Sequence, residues 1–147
     1  MQITSLRILP LALLLVAVLG CPRTAKSPPS SSSAAVLAGD WTLLELNAQP
    51  APAGAGGHPA TLHFAPDSSR VSGFAGCNRL TAGYTTSGDS LRFGAAAMTR
   101  MACPEGMELE QAFTEVLGET IRFQVNDAGL TLLGASGPVA RFSRGAP

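Results

Sequence analysis

Downstream of residue 38 the chain runs in short alternations of apolar and polar side chains, broken by clusters of Gly, Pro, Asn, Asp and Ser. This is the pattern of short strands joined by tight turns. "DWTLLELN" (Asp40 to Asn47) puts Trp41 and Leu43 on one face, then Leu44 and Leu46 out of step. That predicts a buried strand with a bulge where the alternation changes face. "AQPAPAGAGGHP" follows and predicts a surface loop from its Pro and Gly content. "ATLHFAP" alternates Leu62 and Phe64 against Thr61 and His63, a half-buried strand ending in the turn "PDSS". "RVSGFAG" predicts a third strand with Val71 and Phe74 inward, and "GYTTSGDSLRFG" a hairpin turning at Ser87-Gly88-Asp89.

One segment has helical spacing instead. In "PEGMELEQAFTEVLGE" the residues Leu109, Ala112, Phe113, Val116 and Leu117 recur at three- and four-residue intervals and form one stripe. Pro104 and Glu105 suit its start and Gly118 its stop. "TIRFQVNDAGLTLLGASGPVARFSR" then predicts three short strands, turning at Asn126 to Gly129 and Ala135 to Pro138. Five strands, a helix and three strands make an α+β domain, with an antiparallel sheet curled enough to need the helix as a plug or lid.

The N-terminus reads differently. Arg7 and the apolar run "ILPLALLLVAVL" (Ile8 to Leu19) are the n- and h-regions of an export signal, too short to span a bilayer comfortably. The run ends in "VLGC", which resembles a bacterial lipobox with Cys21 as the lipidated first residue of the mature protein. Several acyl chains on Cys21, at about 0.8 kcal/mol per buried methylene, would give a stable anchor. "PRTAKSPPSSSSAA" (Pro22 to Ala35) has no apolar period and reads as a flexible tether. The expected organisation is therefore a signal peptide at 1–20, a lipidated tether at 21–37 and one folded domain at 38–147.

Charge narrows the function. Ten Lys and Arg balance ten Asp and Glu, and removal of the signal leaves the mature chain marginally acidic. The basic stripe with interleaved aromatics that nucleic-acid binding requires is missing, so nucleic acid is not an expected partner.

The quoted stretches "GDWTLLELN", "ATLHF", "VSGFAGCNRLTAGY", "LRFGAAAMTRMAC", "MELEQAF" and "LTLLGASGPVARF" together resemble the META domain of HslJ-type bacterial envelope lipoproteins, over essentially all of Gly39 to Arg144. "GCNR" (Gly76 to Arg79) and "MTRMAC" (Met98 to Cys103) are the most specific pieces. The resemblance implies a cracked, partly open antiparallel barrel of about eight strands with one helix. It also implies no catalytic residues, and a role in envelope stress or drug tolerance. The Ala/Pro/Gly insert before His58 departs from the family pattern and is expected only to lengthen a loop.

With Cys21 acylated, Cys77 and Cys103 remain, and an exported chain meets an oxidising compartment. A disulfide between them would close a loop of about 26 residues and contribute roughly 3 to 4 kcal/mol. Two buried thiols or a reactive cysteine are the alternatives, the last needing a base, for which His63 on the neighbouring strand is the candidate. Asn78 is expected to form a turn in left-handed backbone. Met98 and Met101 read as adaptable core filler, and Arg79 and Arg100 as partners for Glu105 or Glu108. Glu108, Glu110 and Glu115 fall mostly on the polar face of the helix. His58 and His63, around a proline, do not make a ligand set, so neither a metal nor a cofactor is expected. The functional expectation is a non-catalytic, membrane-tethered interaction module of the cell envelope. It would face the periplasm and be lipid-anchored in the outer rather than the inner membrane, because Pro22 is not the aspartate that retains lipoproteins inside. The alternative is a barrel carrying an acyl chain or small apolar ligand.

Overall fold

The computed structural model describes residues 32–145, so the expected signal peptide, Cys21 and the expected tether up to residue 31 lie outside the described residues. The elements are α1 (Ser33–Leu37), β1 (Gly39–Leu46), β2 (Gln49–Pro50), a single 3-10 turn (Ala55–Gly57), β3 (Thr61–Phe64), β4 (Arg70–Phe74), β5 (Arg79–Ser87), β6 (Ser90–Phe93), β7 (Ala97–Met98), α2 (Met107–Glu119), β8 (Arg122–Asn126), β9 (Gly129–Gly134) and β10 (Gly137–Arg144). Eight strands form an antiparallel ring in the order β1-β3-β4-β5-β6-β8-β9-β10, with β10 returning to β1. The two-residue strands β2 and β7 attach to β1 and β5. This is the eight-stranded α+β barrel expected from the sequence.

The ring closes unevenly. β6 and β8 share one register pair, Ser90 with Arg122, flanked by Leu91 N–H to Ile121 O at 3.1 Å and Phe123 N–H to Asp89 O at 2.9 Å. Every other neighbouring pair of ring strands has at least four paired positions. The ring is closed but has its shortest pairing at this seam, and α2 packs against β6, β1 and β9.

The bulge in β1 is present: its register with β10 shifts between Leu43 and Glu45. Trp41, Leu43 and Leu46 point inward, while Leu44 turns out and is 51% exposed. Three hairpins turn over two residues each, at Gly88-Asp89, Asp127-Ala128 and Ala135-Ser136. Such tight loops fix register and keep the ring compact.

α2 starts later and ends later than the sequence suggests. Its N-cap is Gly106 and its C-cap Thr120, so Pro104 and Glu105 precede the helix and Gly118 lies inside its last turn. The stop comes from Thr120, whose buried hydroxyl donates to Val116 O at 2.8 Å while its N–H reaches Leu117 O. The apolar stripe holds: Leu109, Phe113, Val116 and Leu117 are buried and Ala112 packs at the edge.

The strand directions give the barrel two distinct ends. One is formed by the start of β1, the end of β3 and the β5–β6 hairpin, and α1 lies there, with Ser33 Oγ donating to Gly88 O at 2.7 Å. α1 belongs to residues that composition assigns to the tether. It orders because Leu37 is fully buried and its carbonyl accepts the Trp41 indole N–H at 2.7 Å. The opposite end is formed by the β4–β5 bend and the end of β9, and α2 bridges them: Leu109 lies against Gly76 and Glu119 O against Gly134. Between the two helices the interior is filled by Leu62, Phe64, Leu91, Phe113, Leu132 and Phe142. Each fully buried side chain of this kind is worth about 1.5 to 3 kcal/mol of transfer free energy.

Candidate functional site

The features with chemical potential gather at the α2 end. Cys77 and Cys103 are bonded, with their α-carbons 5.8 Å apart, within the span a bridge requires. The staple joins the β4–β5 bend to the segment entering α2. A reactive Cys77 is not what the structure holds, and His63 is not beside it: His63 Nδ1 lies 2.8 Å from Asp40 Oδ1. The histidine that shares a concavity with Cys77 is His58.

Asn78 does more than turn the chain. Its carbonyl accepts Ala75 N–H at 2.8 Å, and the left-handed backbone at this bend belongs to Gly76 (φ +125), not to Asn78. The Asn78 side chain is 2% exposed and uses all its donors and acceptors. Nδ2 donates to Met101 O (3.1 Å) and Glu110 Oε1 (3.0 Å). Oδ1 accepts from Thr99 Oγ1 (2.8 Å) and Met101 N–H (2.7 Å). Asn78 N–H adds a bond to Glu110 Oε2 at 2.6 Å. Glu110 is therefore not a solvated charge on the polar face of α2; it is a carboxylate receiving two N–H donors from the bend. Bonds to a charged acceptor are the stronger kind.

Backbone also crosses closely here. Gly106 at the α2 N-cap has φ +88, and a Cβ on it would meet Gly76 O and, at 2.7 Å, Ala55 N. Ala55 N–H donates to Gly76 O at 2.6 Å. The insert before His58 is thus more than a lengthened loop. It folds through the 3-10 turn onto the bend, with Ala60 fully buried beneath it.

The segment 97–103 runs over this junction and separates two concavities. One, of about 500 Å³, lies beside β3–β5 and is lined by His58, Pro59, Phe74, Arg79 and Met101 among others. The other, of about 410 Å³, lies beside α2 and is lined by Met98, Met107, Glu108, Glu110 and Glu115 among others. The first has the Arg79 guanidinium and no carboxylate in its lining; the second has three carboxylates and no cation. The ion pairs among the described residues are Arg122–Asp89 and Arg141–Glu45, and His63 hydrogen-bonds Asp40, so the expected pairing of Arg79 or Arg100 with Glu105 or Glu108 does not form. Met98 packs against the core as filler, whereas Met101 is 56% exposed. Phe74 is not inward: Val71 fills the inner position and Phe74, three residues on, lies half-buried on the outer face. Strict alternation from Val71 already places it there.

A closed antiparallel barrel, a helix over one mouth and a stapled Gly-Cys-Asn bend define an all-antiparallel α+β domain. The chain belongs to the META domain family, whose profile matches residues 34–146. It is similar to the NMR structure of a protein from Burkholderia xenovorans, at 26% identity and TM-score 0.65, covering 88% of this chain and 100% of that one. A second NMR structure is similar at 25% identity and TM-score 0.56, covering 74% of this chain and 90% of the other. No curated protein matches the sequence.

Proposed function

We propose that this META-domain protein is a non-catalytic interaction module of the bacterial cell envelope, of the HslJ type. It would be held by acyl chains on Cys21 and face the periplasm from the outer membrane. Its contribution would be to envelope maintenance under stress. The observation that carries the non-catalytic reading is the Asn78 network: Asn78, Thr99 and Glu110 bond one another and the backbone, so the polar groups packed at the bend serve its structure. The lipobox sequence "VLGC" supports the anchor. The carrier alternative has less support, because aromatic and aliphatic side chains occupy the space in which an acyl chain would lie.

Cys21→Ser tests the anchor. The variant is expected to leave the membrane fraction or to accumulate with its signal uncleaved, and mass spectrometry of the wild-type N-terminus should show acylated Cys21. A variant that is processed and still membrane-bound would end this reading.

A further inference from the structure

Thr61, Phe74 and Arg79 stand side by side on three adjacent strands, since Thr61 pairs with Phe74 and Phe74 with Arg79. All three face outward, opposite Leu62, Val71 and Leu80, which point into the barrel. Pro59 borders this row from the docked insert, and Met101 from the segment that crosses the bend. The result is a mainly apolar concavity of Pro59, Phe74 and Met101, with Thr61, His58 and Arg79 also in its lining.

Two observations make this concavity a fixed structure. Met101 has both backbone groups held by the Asn78 side chain, so its thioether stays outside the core. Arg79 is pinned by Phe74 on one side and by Thr99 on the other, with N–H to Thr99 Oγ1 and its carbonyl accepting Thr99 N–H, both at 3.1 Å. A guanidinium on a fixed backbone loses less freedom on binding than one on a loop. Arg79 is in no ion pair among the described residues, and no carboxylate lines the concavity. Its volume of about 500 Å³ falls within the range of small-molecule sites, roughly 300 to 1,000 Å³.

We propose that this groove binds an apolar monocarboxylate. The carbon skeleton lies on Phe74, Pro59 and Met101, and the carboxylate takes the two-pronged donor face of Arg79. Planar guanidinium is the side chain best shaped for that acceptor, and an adaptable thioether beside a ring accommodates skeletons of differing width. The neighbouring groove beside α2, with its three carboxylates, repels the same ligand. The site lies outside the barrel and does not depend on the anchor, so it stands or falls separately from the proposed function.

The test is amide NMR of the oxidised domain titrated with phenylbutyrate, with decanoate and with phenylbutyramide. A short peptide ending in a free phenylalanine, and its C-terminal amide, form a second arm. Saturable shifts at Phe74, Arg79 and Met101 are expected with the acids. Arg79→Gln should weaken binding about tenfold or more without moving the melting temperature, because its side chain is exposed. The uncharged amides should be weakened to a similar extent. Tighter binding of the free-carboxylate peptide than of the small acids would identify the source as a chain terminus; the reverse would identify a free organic acid. The proposal is overturned if the amides bind as well as the acids, if the shifts centre on α2, or if no acid gives a saturable response.

Discussion

The two ends of the barrel are closed by unlike means. α1 is five residues long and is held by one buried leucine, the Trp41 indole bond to Leu37 O and the Ser33 bond to Gly88 O. Arg144 adds to this end by stacking over Trp41 at 4.5 Å and reaching Ala38 O at 3.3 Å. α2 is thirteen residues long, buries a four-residue stripe, and is tied to the sheet by a disulfide, the Asn78–Glu110 bonds and a backbone crossing. Buried polar groups fare differently as well. Asn78, at the α2 end, satisfies every donor and acceptor. Tyr84, packed edge-on to Phe64 in the body of the barrel, has no protein partner for its buried hydroxyl. The α1 mouth is closed by one buried leucine and a few single hydrogen bonds, whereas the α2 mouth adds a covalent bridge and a fully satisfied side-chain network. The two concavities flanking segment 97–103 lie at the second.

Four experiments test this difference between the two ends. The largest effect is expected from Phe113→Ala, in the middle of the α2 stripe. Loss of a buried ring typically costs about 3 to 5 kcal/mol, a large share of a domain stability of about 5 to 15 kcal/mol. Thermal denaturation reads it, and a variant melting like wild type would mean that the stripe does not anchor α2. Reducing Cys77–Cys103, or replacing both cysteines by alanine, should cost roughly 3 to 4 kcal/mol in the chain-entropy account. The Asn78 network should still hold the bend, so the reduced protein should remain folded with its β-sheet dichroism intact; unfolding on reduction would show that the bonds alone are insufficient.

Leu37→Ala tests the weaker end. Buried leucines lose about 2 to 5 kcal/mol on truncation, and the low end is expected because α1 can detach without opening the barrel. Hydrogen exchange should accelerate in α1 and around Trp41 while β5 and α2 stay protected. Loss of protection throughout would mean that both ends unfold as one unit.

The smallest effect has the opposite sign. Tyr84→Phe removes an unpartnered hydroxyl whose burial costs about 1 to 3 kcal/mol, so the variant should be as stable as wild type or up to about 1 kcal/mol more so. Burial pushes the Tyr84 phenol above its ordinary value of 10.0. A raised folded pKa means that its stabilising contribution is complete below the unfolded value and is lost as pH climbs through the folded one. Wild type should therefore lose stability above about pH 10 by an increment that Tyr84→Phe lacks. Parallel alkaline denaturation curves for the two proteins would contradict the burial.

The β1 bulge, the hairpins, the strand–helix–strand order and the α2 stripe were legible because each depends on residues within one turn or one strand of each other. The Cys77–Cys103 staple was legible by elimination among three cysteines. What escaped depends on distance or on backbone alone. Asn78 and Glu110 are 32 residues apart and no period links them. The docking of the Ala/Pro/Gly insert is a contact between main chains at Gly54, Gly76 and Gly106, with no side chain to announce it. α1 was hidden because a single apolar residue, Leu37, is buried in a run of serine and alanine.

The weak end also has a mechanical meaning. Tension applied through residue 32 acts first on α1, because β1 is held by β3 over Gly39 to Thr42 and by β10 over Trp41 to Leu46. Five helical residues drawn out from a rise of about 1.5 Å to about 3.3 Å each release roughly 9 Å of slack. Only then does the load reach β1, where strands pulled lengthwise must shear all their hydrogen bonds together. α1 is thus a short extensible link in series with a stiff barrel, and it can yield and re-form while the stapled end keeps its shape.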